Sequence, residues 1–452
     1  MIVMKFGGSS VESAAAITRV AGIVKDRLDQ RPVVVVSAMG KTTNRLLEIA
    51  ALAIEGNRVD ALALLASLEK FHIAESPADA AEIIAAHFHE LTAVVEELAE
   101  LKEFPPQYVD LVSSYGERLS SQIVALTFRH LGMDAVHVDA RNVIITDRRH
   151  AHAAPLYPRT YAKLESQVKP LAAKQVVVMG GFIGATQDGF TTTLGRGGSD
   201  FTAAIVGAGI GADEIQIWTD VDGMLTCDPR IVPGGHRVKV ISFGEAAELA
   251  YFGAKVLHPA TVVPAMEKNI PVLILNSRNP ASEGTRIVAD RVACTNPIKS
   301  IACKVDVTLV NIVSLRMLMA HGFLRRIFEI FDRYRTPVDV VTTSEVSVSL
   351  TIDNTTHLKE ICEELGQIAE VAVEENQALI CLVGDSIRET HGVALKVFQS
   401  LGDVNVRMIS QGASALNLSL LVAAEDLQRA VALLHANLFA TLDPSVFEEK
   451  AQ

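Results

Sequence analysis

Hydrophobic positions in the first ~290 residues follow two alternating patterns. Short β-type runs rich in apolar residues at 2–4, 32–36, 175–179, 214–218 and 271–275 stand between polar or turn residues, the pattern of strands in a mostly parallel sheet. After the first run, Ala14, Ile17, Val20, Ile23, Val24 and Leu28 recur at helical spacing and line roughly one face. Residues 58–102 are rich in Ala, Leu and Glu with helical spacing and little β-type content, which predicts a helical insertion or lid. The alternation predicts an α/β fold with a mostly parallel sheet and helices on both faces.

Near the turn Thr295-Asn296-Pro297 the composition shifts, and a domain boundary is placed there, dividing the chain into 1–293 and 294–452. The second part repeats itself. Gly322-Phe323-Leu324, with Phe328 after it, matches Gly392-Val393-Ala394, with Phe398 at the same offset. Val338-Asp339-Val340 pairs in the same way with Val404-Asn405-Val406, and Ser344-Glu345 with Ser410-Gln411. Alternating Val346-Ser347-Val348-Ser349-Leu350 and Leu416-Asn417-Leu418-Ser419-Leu420 read as sheet segments. Two ferredoxin-like α+β modules are predicted, at about 305–380 and 381–452, with exchange of strands between them left open.

Composition narrows the function. With 452 residues, 49% hydrophobic and 21% charged, the chain can bury full cores and is not disordered. A formal net charge of −12 without a long basic block argues against nucleic acid or an anionic membrane as partner. No run of ~18 apolar residues occurs and the chain opens on strand-like Ile2-Val3-Met4, so neither a membrane span nor an export segment is expected. Five scattered cysteines without C-x-x-C pairing read as reduced thiols and a cytoplasmic location.

Any anion-binding chemistry must therefore be local, and two glycine turns offer it. Thr193-Leu194-Gly195-Arg196-Gly197-Gly198-Ser199-Asp200 sets one guanidinium among three glycines and ends on a hydroxyl and a carboxylate placed to cap a following helix. Lys5-Phe6-Gly7-Gly8-Ser9-Ser10 puts an ammonium at the end of the first strand, ahead of a helix N-terminus. Either stretch alone would also serve as a plain strand-to-helix turn. Val35-Val36-Ser37-Ala38-Met39-Gly40-Lys41-Thr42 imitates a P-loop but carries valine at the first required glycine. Gly207-Ala208-Gly209-Ile210-Gly211 imitates a dinucleotide fingerprint in the wrong order, helix before strand, and reads as a helix-to-strand turn. His87 and His89, like His150 and His152, match no zinc spacing and read as surface residues.

Taken with Ser37-Ala38-Met39-Gly40 through Thr43-Asn44, Tyr115-Gly116-Glu117, Trp218-Thr219-Asp220, Asp228-Pro229-Arg230 and Phe252-Gly253-Ala254-Lys255-Val256-Leu257-His258-Pro259, these motifs resemble the aspartate kinases in order and spacing over nearly the whole chain. The C-terminal repeats resemble the tandem ACT regulatory modules of lysine-sensitive monofunctional members. The resemblance implies an amino-acid-kinase-type three-layer sandwich followed by two ACT modules. It also implies ATP-dependent phosphorylation of L-aspartate to 4-phospho-L-aspartate, the first step toward lysine, threonine and methionine. A side-chain carboxylate of pKa ~4 is already ionised at neutral pH and needs no general base. The difficulty is bringing one anion to another, which calls for cations and alignment.

By the same resemblance, Lys5, Gly7, Gly8, Asp200 and Lys255 are catalytic, and Thr43, Glu117, Arg196, Gly198 and Ser199 bind substrate. Arg196 takes the α-carboxylate and Glu117 the α-ammonium. ATP is implied at Lys5, Gly8, Ser9, Thr219, Asp220, Arg230 and Lys255, with Mg²⁺ carried on its phosphates and no protein metal site. Trp218 reads as core. Met317, Gly322, Phe323, Leu324, Val338, Asp339, Ser344 and Glu345 match an effector site for an amino acid, lysine by the resemblance, in a homodimer or dimer of dimers formed through the ACT modules. Leu225 stands where many relatives carry tyrosine, and Ala320 and Pro337 where close relatives often carry serine. Two other functions are open at this point: another amino-acid or carbamate kinase of the same fold, and a non-catalytic amino-acid-sensing ACT protein. The Glu117 and Arg196 pair together with the repeat speaks against the first, and the intact Lys5, Arg196, Asp220 and Lys255 against the second.

Overall fold

In a computed structural model that describes residues 1–253, 259–318 and 321–448, the apolar runs become strands. In chain order they are β1 (Ile2–Phe6), β2 (Pro32–Val36), β3 (Ala135–Val138), β4 (Ile145–Thr146), β5 (Val176–Gly180), β6 (Ile183–Thr186), β7 (Thr191–Thr193), β8 (Glu214–Thr219), β9 (Val240–Ser242), β10 (Val272–Asn276) and β11 (Thr285–Val288). Eight of them form one sheet in the order β3-β5-β2-β1-β8-β10-β11-β9, in which only the β10–β11 pair is antiparallel. The remaining β4, β6 and β7 make a small sheet of their own.

Alternation within the strands shows why the sheet is covered on both sides. Ile2, Met4 and Phe6, with Val34, Val36, Val176 and Val178, point into one large apolar cluster. The intervening Val3, Val33, Val35 and Val177 are equally buried, and the helix Gly198–Ile210 packs over β1 and β2. Such double burial explains why these strands read as unbroken apolar runs. Helices Arg58–Ala74 and Ala81–Leu101 contribute Leu65, Leu68, Phe88 and Leu91 to the same cluster as Phe6 and Trp218, so the 58–102 segment is part of the main core. Trp218 is fully buried and stacks on Phe6, as a core residue should.

The chain leaves β1 for β2 on one side and later returns to place β8 on the other. Strand order therefore reverses at β1, and the carboxyl edge of β2, β1 and β8 is the place where an open α/β sheet binds ligands.

Two compact units divide the chain: Met1–Met224, Lys239–Phe243 and Val256–Asp290 in one, and Leu225–Val238, Gly244–Lys255 and Arg291–Gln452 in the other. The second unit thus includes two stretches that precede the sequence boundary. Its sheet contains β12 (Ser300–Val313), β13 (Val341–Thr343), β14 (Ser347–Ile352), β15 (Glu370–Val383), β16 (Met408–Gln411) and β17 (Asn417–Ala423), in the order β13-β14-β12-β15-β17-β16. Two long strands, β12 and β15, pair antiparallel from Ser300↔Val383 to Val313↔Glu370, with a shift near Val307. The outer half of β12 pairs with β14, while Gln377–Val383 of β15 pairs with β17. Each long strand therefore serves both modules, and residues 300–304 complete the sheet of the second. Gly322 and Gly392, matched in the repeat, both cap a helix with φ of 78°, a conformation glycine adopts without a Cβ penalty.

Candidate active site

The first glycine turn and the 37–40 turn interlock at the carboxyl edge of β1 and β2. Gly7 N–H donates to the Trp218 carbonyl at 3.3 Å, and Gly40 N–H to the Gly8 carbonyl at 3.1 Å. A Cβ on Gly8 would lie 2.9 Å from the Ala38 oxygen and 3.0 Å from that of Gly40, so no side chain fits there. A short 3₁₀ turn, Gly8–Ser10, follows, and the α-helix begins only at Ala14, capped by Ser13. Lys5 is therefore at the strand end but not directly over that helix.

The second glycine turn approaches the same edge from helix Gly198–Ile210. Its N-cap is Gly197 at φ 73°, without a side-chain cap. Ser199 and Asp200 thus lie inside the first turn, which corrects the expectation that they cap the helix. Glycine could take the left-handed cap position, and this frees Asp200 for another partner. Its Oδ1 is 2.7 Å from Lys5 Nζ, and both side chains are mostly buried.

These elements enclose a cavity of about 500 Å³ lined by Lys5, Thr43, Glu117, Arg196, Gly198, Ser199 and Asp200. The sequence-derived substrate set therefore converges, although its members lie nearly 200 residues apart. Ser37, Ser113, His152 and Phe182 also line the cavity and were not anticipated. Phe182 follows two glycines with φ of 65°, a left-handed conformation unusual for an aromatic residue. The Gly180-Gly181 pair was a signal for it. Gly181 is packed so closely on Ser199 that a Cβ would come within 2.7 Å.

Charge in the cavity is deliberately unbalanced. Arg196 is exposed and has no carboxylate partner among the described residues. Glu117 is only 4% exposed; its Oε1 accepts the Ala38 N–H at 3.1 Å, while Oε2 has no hydrogen-bond donor among the described residues. Burial raises the Glu117 carboxyl from an ordinary 4.5 to about 8, against the opposing pull of backbone N–H groups and the Lys5 charge. The neutral acid is thus the form favoured by folding. Its contribution to stability is complete below pH 4.5 and is lost as pH rises toward 8, on the order of 1 kcal/mol per pH unit. For the ligand-free protein, Glu117→Gln is therefore expected to gain stability over the parent between pH 5 and 8 and to level off above that. Thermal unfolding across this range measures it, and parallel curves for the two proteins would refute it.

Thr219 and Asp220 stand at the end of β8, beside Gly7 on the same edge, but do not line this cavity. Arg230 belongs to the second unit, where it forms a bidentate pair with Asp228. Lys255 and Ala320 lie outside the described residues. His150 is not a surface residue: its Nδ1 is 2.7 Å from the fully buried Asp110. Gly207 and Gly209 are inside the helix, packed against Ile215 and Leu164, and only Gly211 makes the turn.

In the second unit, Met317, Gly322, Phe323, Leu324, Ser344 and Glu345 line a cavity of about 480 Å³. Val338 instead packs against the apolar cluster of that module. Asp339 does not line the cavity; both of its oxygens are 2.8 Å from Lys304 Nζ.

A doubly covered parallel sheet with a cavity lined by Lys5 and Arg196 near its strand-order reversal, followed by a strand-sharing pair of α+β modules, defines an amino-acid kinase with an ACT region. The Amino acid kinase family profile matches residues 1–276, and an ACT domain profile matches residues 380–438. The chain belongs to the aspartokinase family. It is 38% identical over 450 residues to lysine-sensitive aspartokinase 3 of Escherichia coli, covering 97% of this chain and 99% of the relative. It is likewise 38% identical over 462 residues to the chloroplastic aspartokinase 2 of Arabidopsis thaliana, covering 98% and 85%. The crystal structure of E. coli aspartokinase III in complex with aspartate and ADP (R-state) matches with a TM-score of 0.83 at 37% identity, covering 97% of this chain and all of that one. The same enzyme in complex with lysine and aspartate (T-state) matches at 0.84, again at 37% identity, covering 97% and 99%. The enzyme is an aspartate kinase, transferring phosphoryl from ATP to aspartate. No helix among the described residues is long and apolar enough to cross a membrane.

Proposed function

We propose that the 500 Å³ cavity is the aspartate site and that its unbalanced charges divide the substrate between them. An uncommitted guanidinium and a buried carboxylate without a second donor, in one cavity, carry this reading. Arg196 grips the α-carboxylate, Glu117 receives the α-ammonium, whose charge favours release of the Glu117 proton to solvent, and Thr43 and Ser199 hydrogen-bond the substrate. The side-chain carboxylate is left facing Lys5. Its oxygen attacks the γ-phosphorus of ATP, the bond to the bridging β-γ oxygen breaks, and ADP leaves with that electron pair. Lys5, held by Asp200, and the N–H group of Gly8 carry the negative charge of the transferring phosphoryl group, while the Gly7 N–H, bonded to the Trp218 carbonyl, fixes the turn. No proton need be removed from the nucleophile.

ATP lies along the edge formed by Ser9, Thr219 and Asp220. The exposed Asp220 suits a magnesium ion held chiefly by phosphate oxygens, which ordinarily takes one or two carboxylates. Magnesium, when bound, neutralises triphosphate charge. Lysine is the feedback effector, taken at the 480 Å³ cavity with Glu345 as partner of its ammonium, and the ACT modules join copies into a homodimer or dimer of dimers. The reading of the thiols as reduced keeps the enzyme in the cytoplasm. No disulfide joins the cysteines, and burial pushes the Cys303 thiol up to about 12.

Steady-state assays test the substrate assignment. Arg196→Ala is expected to raise KM for aspartate between about ten-fold and about 10²-fold, the loss of a charged hydrogen-bonding partner, while KM for ATP changes little. Equal effects on both substrates would move Arg196 out of the aspartate site.

A further inference from the structure

One buried charge beside the aspartate site has no part in the roles above. Helix Pro106–His130 presents Val109, Ser113 and Glu117 to the cavity at four-residue intervals, and Asp110 lies next to that stripe with no exposed surface. A carboxylate in such a place is tolerated only when its oxygens are well supplied with donors. Asp110 has three, from two separate segments. His150 Nδ1 lies 2.7 Å from Oδ2, Ala151 N–H donates to Oδ1 at 2.9 Å, and the Thr193 hydroxyl donates to the same Oδ1.

Both segments form walls of the cavity. Ala151 and His152 of the first segment and Thr193, Gly195 and Arg196 of the second line it. Ala151 is held at φ 67°, a conformation alanine seldom adopts, so something must impose it. Ala153 N–H donates to the Thr193 carbonyl at 2.9 Å, a second tie between the segments. Beyond it, His152 lies directly against Gly195, where a Cβ would come within 2.5 Å of its Nδ1. Glycine at 195 is therefore required by the imidazole as well as by its own φ of 77°.

We infer that Asp110 is a positioning residue for the amino-acid subsite: it clamps the 150–152 lip to the 193–196 loop, so that Arg196 and His152 form one pre-organised wall. The inference rests on Arg196 being the α-carboxylate contact. Pre-organisation of this kind acts on the substrate that the wall touches and leaves the other substrate alone.

Kinetics of the full chain, with aspartate and ATP varied separately, test it. Asp110→Ala is expected to raise KM for aspartate by about ten-fold or more, with KM for ATP within about two-fold. Asp110→Asn keeps an oxygen for Ala151 and Thr193 and is expected to recover most of the loss. Thr193→Val and His150→Phe each remove one arm of the clamp, should fold even where Asp110→Ala does not, and should raise the same parameter less. A normal aspartate KM in both single-arm variants, or parallel rises in both KM values, overturns the inference. Arg196→Ala is the reference: if it raises aspartate KM while the clamp variants do not, only the positioning role falls. If it leaves aspartate KM unchanged, the subsite assignment falls and the inference with it.

Discussion

Lys5→Met is expected to lower kcat by about 10²- to 10³-fold while leaving KM for aspartate within a few-fold. The reaction brings a carboxylate onto a polyanion, so each fixed cation at the transfer point acts on the transition state more than on the bound substrates. Lys5 suits that task because it is already in place. Strand β1 carries it to the sheet edge, and Asp200 holds its ammonium at 2.7 Å in a site where both side chains are under 15% exposed. Little reorganisation is then needed when ATP arrives. Methionine retains most of the length and apolar stem of lysine, so the core beneath should survive. Aspartate binding, which we assign to Arg196 and Glu117, should survive too. Single-turnover rates with saturating substrates measure the chemical step. A variant with unchanged turnover would remove Lys5 from catalysis. Asp200→Asn separates the two halves of the pair: it leaves the ammonium but loosens it, and a smaller loss of kcat is expected.

The largest effect on stability is expected in the second unit. Lys299 is fully buried, and its Nζ lies 2.8 and 3.1 Å from the two oxygens of Glu245, itself 1% exposed, and 2.9 Å from the Val292 carbonyl. This pair fastens helix Phe243–Tyr251 to the residue immediately before β12. The same helix makes two further contacts with the loop before β17 and its first residue, from Glu248 to Ser414 and Asn417. Lys299→Met removes the ammonium that both Glu245 oxygens meet, and losing one member of a buried ion pair typically costs about 3–5 kcal/mol. In a unit of this size that corresponds to a fall of roughly 10 °C in its calorimetric transition. Replacing both partners, as Lys299→Met with Glu245→Met, should recover part of the loss, because an apolar pair is often no worse than a buried ion pair. A transition unmoved by the single substitution would mean that water or another group already serves Glu245.

Some of this architecture was legible because it depends on local patterning. The strand read at 32–36 is β2 without change, and those read at 175–179, 214–218 and 271–275 agree with β5, β8 and β10 to within a residue at each end. All belong to the central part of the sheet, buried on both faces, where most positions are apolar and Gln216 is a buried polar exception. Short strands such as β4, β7 and β9 carry no such demand and left no pattern. The helical spacing of 58–102 was plain, but its amphipathic signal did not reveal that Leu65, Leu68 and Phe88 join the main core. The repeat was visible because both modules need a glycine at the same left-handed cap.

Site residues divide along a similar line. Lys5 and Arg196 stood out in motifs whose composition is itself chemical and Glu117 through the family resemblance, and the fold brings the three to one cavity. Asp110, His150 and Phe182 were missed, His150 being taken for a surface residue, because each depends on a partner brought near only by folding.

The sequence by itself determined the alternation of strand and helix, the doubled regulatory module, and the cationic glycine turns that mark an anion-handling enzyme. These are properties of neighbours along the chain, written in periodicity and in the backbone freedom of glycine. Tertiary structure alone decided that Lys5 meets Asp200 and that Asp110 ties two distant loops. It also decided that residues 300–304 finish a sheet begun after residue 376. Those pairings join residues that share no local pattern, and they hold because buried charges and unpaired strand edges must find partners wherever the fold brings them.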